Sequence, residues 1–194
     1  LWSVEIPASF FLALFILHEK LSSWQIGLIF LLVIGLVLVS LRSYHLSKKI
    51  WLEKAVFLAF FAALIMGAAN FFVGWGARMT DALVVNWFIS AVSAIASLLY
   101  LIYTKRFSKI WKDFHLNTGS VLTMCFLDNA AWIAFALSMI FAPIAIAVAI
   151  SESYIIIAVL LGVFVNKEYL RAHQKIGLII AITSAITLAA TTSA

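Results

Sequence analysis

The chain has 194 residues, 65% of them hydrophobic and 11% charged, and its mean hydropathy is +1.14. A soluble domain carries roughly 25% charged residues, so these values exclude an ordinary water-soluble fold and place the chain in a bilayer. The formal charge of +5 does not point to nucleic acid, because the basic residues lie between apolar runs, where they act as topology signals.

An apolar run starts at Leu1, with no initiating Met, basic leader or small-residue cleavage site. It is read as a membrane helix and not as a signal peptide, and the chain is expected to lack its natural N-terminus. A helix needs about 20 apolar residues to cross a hydrocarbon core. Seven segments meet that standard: 1–17, 24–41, 54–75, 82–103, 119–141, 144–165 and 174–192. Period-two alternation is absent and the runs are too long for strands. The expected fold is all-α, a polytopic membrane helix bundle with seven transmembrane helices.

Loop charge gives direction. One side holds Arg42, Lys48, Lys49, Lys54, Lys105, Arg106, Lys109, Lys112, Lys167, Arg171 and Lys175, and the other only Lys20 and Arg78. The positive-inside rule makes the basic side cytoplasmic. Trp24 and Trp75 on the one side, with Trp51 and Trp111 on the basic side, fit interfacial aromatic belts. Helix contacts are expected at small residues, namely Ala62, Ala63, Gly67 and Ala68 in the third segment and Ala91, Ala94, Ala96 and Ser97 in the fourth. Cys125 has no second cysteine to pair with and is expected to fill space in the core.

The first and last segment pairs share a motif. Glu19, Leu21 and Gln25 at one turn match Glu168, Leu170 and Gln174 at the other, with Gly177 after the second and Gly27 one position displaced after the first. Five segments per copy is an odd number, so successive copies insert in opposite directions. Inverted repeats of this kind are an architecture of secondary transporters. The Glu-x-Leu-x-x-x-Gln-x-x-Gly pattern at a helix–helix turn resembles the EamA-type drug/metabolite transporters, which have two five-helix halves. On that resemblance, residues 1–41 are the last two helices of a first repeat and residues 54–192 a complete second repeat. Pro7 suits a proline found before the Glu in that family, while Ile156 stands at the equivalent place in the second copy. The resemblance implies a multi-pass protein of a prokaryotic plasma membrane with its C-terminus inside, the reverse of the loop-charge orientation. The motif residues are expected to fix the turns, and Gly27 and Gly177 to permit close helix approach.

Ionisable residues at membrane depth are functional candidates. Three carboxylates fall there: with a rise of 1.5 Å per residue, Glu5 and Asp128 lie roughly 18 Å, and Glu152 roughly 12 Å, from the ends of their segments. Asn129 and Trp132 share a helix face with Asp128, where Trp132 either packs against a neighbour or lines a cavity. Pro7 removes a bond to the Ser3 carbonyl and is expected to kink the first segment beside Glu5. Asn70 and Asn86 are expected to make interhelical hydrogen bonds. Glu152 has only apolar neighbours on its own helix face, so a second carboxyl sharing its proton is sought in Asp128.

Together these residues describe a transporter, an exporter of small metabolites working by alternating access with the proton as a second passenger. A flippase for lipid-linked substrates fits the same fold. A seven-helix receptor would need a mid-helix lysine in the last segment for a retinal site, and Lys175 is at its edge. A membrane enzyme would need clustered ligands, and His18, His45, His115 and His173 are scattered without metal spacing. No enzyme activity, metal or cofactor is expected, and no phosphate-binding Gly-x-x-x-x-Gly-Lys loop for ATP occurs. The expected partners are a small-molecule substrate, protons and the lipid bilayer.

Overall fold

The computed structural model describes residues 4–41 and 54–192, and these residues are helical almost throughout. The helices are α1 (Glu5–Ile16), α2 (Ser23–Ser40), α3 (Lys54–Met79), α4 (Ala82–Thr104), α5 (Phe107–Leu116), α6 (Thr118–Phe141), α7 (Ile144–Ser151), α8 (Tyr154–Phe164) and α9 (Ala172–Thr192). Six spans are long and apolar enough to cross a membrane, α7 and α8 counting as one, and α1 is a shorter apolar helix. The expectations for Arg42, His45, Lys48, Lys49 and Trp51 lie outside the described residues, as does the Ser3 carbonyl. Pro7 falls in the first turn of α1, where a missing amide costs little.

Two compact units form. The first comprises residues up to Phe72 and those from Ala142 onward, and the second Val73–Phe141. In the first unit α2 and α9 run antiparallel in close contact, with Gln174 Nε2 donating to Val39 O at 3.1 Å and His173 Nε2 lying 2.8 Å from Leu41 O. A Cβ on Gly35 would stand 2.7 Å from Ala181 N, and one on Gly177 would stand 2.6 Å from Leu38 Cβ. Only glycine allows backbones this near. Gly27, expected to serve in the same way, has nothing within 4 Å of such a Cβ; Gly35, two turns further along α2, takes that place.

α1 packs antiparallel against α7 and across α3. Ser9 Oγ lies 2.8 Å from Gly67 O, and a Cβ on Gly67 would stand 2.6 Å from Ala8 Cβ. In α4, by contrast, Ala91 is half-buried and Ala94, Ala96 and Ser97 are exposed. The small core of the second unit is Val73, Ala77, Ala82 and Ala136, with Val85 and Trp132 against it. Cys125 is exposed and not in that core.

Two elements differ from the sequence reading. Residues 107–116, taken as loop, form helix α5. Phe107, Ile110, Trp111 and Phe114 recur at i, i+3, i+4 and i+7 along one face, with Ser108, Lys112 and Asp113 between them. That pattern suits a helix lying in the membrane surface. Its ten residues are too few for a spanning window, which is why hydropathy length alone passes over it. The segment 144–165, taken as one helix, is interrupted at Glu152 and Ser153.

Candidate functional site

The interruption between α7 and α8 is a change in backbone bonding. Glu152 N still bonds Val148 O at 3.0 Å, four residues back. Ser153 then bonds Ile150, Ile155 bonds Glu152 and Ile156 bonds Ser153, each three residues back, at 3.0, 3.3 and 2.8 Å. This is a tightened 3₁₀ turn inside a membrane span, a feature that often marks a hinge. The Ser-Glu-Ser sequence contains no proline, so the hydropathy profile shows no sign of the turn.

At that turn the first unit brings two of the candidate residues together. Glu5, on the first turn of α1, and Glu152 are 1% and 8% exposed, and their carboxyls are close neighbours. Asn70 Nδ2 of α3 donates to Glu5 Oε2 at 3.2 Å, the interhelical bond expected of it. Ile144 to Ala149, Ile6 and Phe71 are fully or nearly fully buried in the same unit. Among the described residues, Glu5 Oε1, Asn70 Oδ1 and Glu152 Oε2 are buried without a hydrogen-bond partner. Unmet buried polar atoms of this sort require an explanation, and a ligand or proton site is one. Two buried carboxylates side by side repel, which disfavours both being charged at once. Within the first unit the carboxyl beside Glu152 is Glu5, while Asp128, in which the sequence reading sought a partner, belongs to the other unit.

Asp128, Asn129 and Trp132 belong to the second unit, where they line one cavity of ≈ 240 Å³ with Asn86, Ser90 and Ser93. Asn86 Nδ2 donates to Asn129 Oδ1 at 3.2 Å, and Asn129 Nδ2 donates to Cys125 O at 2.9 Å. Trp132 does both things considered for it: it packs on the small apolar core and on Phe135, with ring centroids 5.7 Å apart, and it lines the cavity. Ser90 and Ser93 were not singled out in the sequence. Their signal was there, since Asn86, Ser90 and Ser93 recur at i, i+4 and i+7 on an otherwise apolar helix.

The motif glutamates act at turns. Glu19 Oε1 accepts from Ile144 N at 2.8 Å and Oε2 from Ala145 N at 3.4 Å, so it caps the N-terminus of α7. Gln25 closes a capping box with Ser22 at the start of α2.

No curated protein and no solved structure matches this chain. The family model of the EamA-like transporters matches residues 53–190, which is most of the chain and includes α7, α8 and the second motif turn. With its apolar helices and inverted motif turns, the chain belongs to the EamA-like transporter family, and is a multi-pass membrane transporter of the drug/metabolite type.

Proposed function

We propose that the protein exports small metabolites by alternating access, and that the Glu5–Glu152 pair couples this to proton movement. The observation that carries the reading is the meeting of two buried carboxyls at a 3₁₀ interruption of a membrane span. Such a pair holds one proton between its two groups and takes or gives another when water reaches it from either side. Discontinuous helices with ion sites at the break recur in secondary transporters. Motion at the turn changes the distance between Glu152 and Glu5, and with it the proton count of the pair. Substrate binding need only favour one count for the two fluxes to be linked. Asp128, Asn129 and Trp132 serve as the substrate-facing groups, with an amide pair, a carboxylate and an aromatic face in one cavity.

The test uses the complete transport protein in liposomes with an imposed pH gradient. Glu152→Gln keeps the shape of the side chain but removes its titration. Substrate accumulation driven by the gradient should fall at least about tenfold, to the level of passive exchange, while exchange of substrate for substrate continues. Gradient-driven accumulation with unchanged pH dependence contradicts the assignment. Loss of exchange as well means that Glu152 binds the substrate itself, for example through an amine.

A further inference from the structure

The link between α4 and α6 is a folded element whose level in the membrane is set from both ends. α4 and α6 are each long and apolar enough to span the bilayer, so the residues that join Thr104 to Thr118 lie at its surface. Lys105 ends α4 with left-handed backbone at φ 54°, and the Arg106 amide donates back to Leu101 O at 3.2 Å. The chain turns there and goes straight into α5. At the far end the Asn117 amide donates to Asp113 O and Phe114 O at 3.2 and 3.1 Å, and the Thr118 hydroxyl donates to Phe114 O at 2.9 Å. α5 is thus tied to the end of one span and to the start of the next.

Two kinds of side chain are open on this element. Phe107 and Trp111 stack with ring centroids 6.5 Å apart, and Trp111 and Phe114 with 6.2 Å, so three rings form a continuous row along α5. Phe107, Ile110 and Trp111 are 53%, 45% and 57% exposed, so the row packs on itself and not on the bundle. At this level the boundary of the acyl chains covers such a face. Lys105, Arg106 and Lys112 are exposed as well. No described residue forms an ion pair with them, and the one acidic residue of α5 is Asp113. The turn and the helix therefore hold uncompensated positive charge at the depth of lipid phosphates, beside an aromatic row that fixes that depth.

We propose that α5 and its entry turn bind the headgroups of anionic phospholipids, with Lys105, Arg106 and Lys112 on the phosphates and the Phe107–Trp111–Phe114 row between the acyl chains. A zwitterionic lipid also offers a phosphate, but its own ammonium cancels that charge. An anionic headgroup leaves a net negative charge for the basic groups to meet. Lysine and arginine stems run along the apolar boundary while their charged ends reach the headgroup layer. An acidic protein in the same place would meet the charges and leave the rings without a partner.

The test is fluorescence quenching in liposomes of phosphatidylcholine and phosphatidylglycerol that hold the complete protein. One of the two lipids carries bromine on its acyl chains, at the same low mole fraction in either case, and Trp111→Phe identifies the part of the signal that belongs to Trp111. Brominated phosphatidylglycerol should quench that part several-fold more than brominated phosphatidylcholine, and the preference should shrink as salt is raised. Lys105→Gln, Arg106→Gln and Lys112→Gln together should bring the two lipids level. Quenching by phosphatidylcholine should persist in that variant, which shows α5 still seated and the protein still folded. The same positions with charge kept, Lys105→Arg, Arg106→Lys and Lys112→Arg, should retain the preference. Equal quenching by both lipids in wild type overturns the proposal, since α5 is then an anchor without headgroup selection. So does a preference that survives the loss of all three charges. Absence of any Trp111 quenching also overturns it, because something other than lipid then covers the row.

Discussion

Glu19 illustrates how a charged group earns a place at the edge of a membrane protein. α7 begins after Pro143 with no side-chain cap of its own, and its first amides are met from another helix, by the Glu19 carboxylate. Replacing a capping side chain by alanine costs about 1 kcal/mol, and in a chain of this size that is roughly 2–4 °C of melting temperature. Glu19→Ala should show this loss in detergent, with Glu19→Gln keeping part of it, because an amide carbonyl still accepts. An unchanged melting temperature for Glu19→Ala contradicts the capping role. At this scale the sequence was informative about which residues matter and less so about what they touch. Glu5, Asp128 and Glu152 stood out because carboxylates at depth are rare, yet depth along a helix carries no azimuth. Nothing in the local pattern told that Glu152 would face Glu5 and that Asp128 would face a cavity with Asn86 and Ser90.

Helix existence was legible at the scale of elements, because an apolar run of spanning length has one structural solution in lipid. Interruptions and short surface helices were not. The α7–α8 turn is made by a change of hydrogen-bond partner within an unbroken apolar run, and α5 is visible only as a periodic face in a segment rich in charge. Close packing was half legible. Gly177 was singled out by its motif, but its opposite number is Gly35, for which the motif offered no reason. The α2–α9 contact depends on both, since any Cβ at either position meets backbone or a Cβ on the other helix below 3 Å. Forcing such a contact apart costs about 1–3 kcal/mol. Gly177→Val should therefore lower the melting temperature by several degrees, whereas Gly27→Ala, at an open position, should leave it unchanged. Equal effects of the two substitutions, read by thermal unfolding in detergent, contradict the packing described.

At the scale of the whole molecule, the inverted relation of the motif turns ties sequence to mechanism. Within the first unit α2 runs antiparallel to α9, and α1 to α7. These are the pairings that oppositely inserted copies of one helix pattern produce. The repeat was readable from a handful of residues because a turn that must end one helix, reverse and cap the next tolerates few sequences. The proposed coupling residues were not readable as a pair, because Glu5 and Glu152 do not occupy equivalent positions of the two copies. Their contact arises from the crossing of the copies and not from the motif. The most direct test is to record proton and substrate fluxes together, with a pH-sensitive dye inside liposomes that hold the complete protein. Wild type should move protons whenever substrate moves down its gradient. Glu5→Gln, Glu152→Gln and the double variant should all lose that proton flux to the same extent while still exchanging substrate, since either change breaks the carboxyl pair that takes up and releases the second proton. Proton flux that persists in one single variant, or falls only in the double, contradicts a carboxyl pair acting as one coupling site.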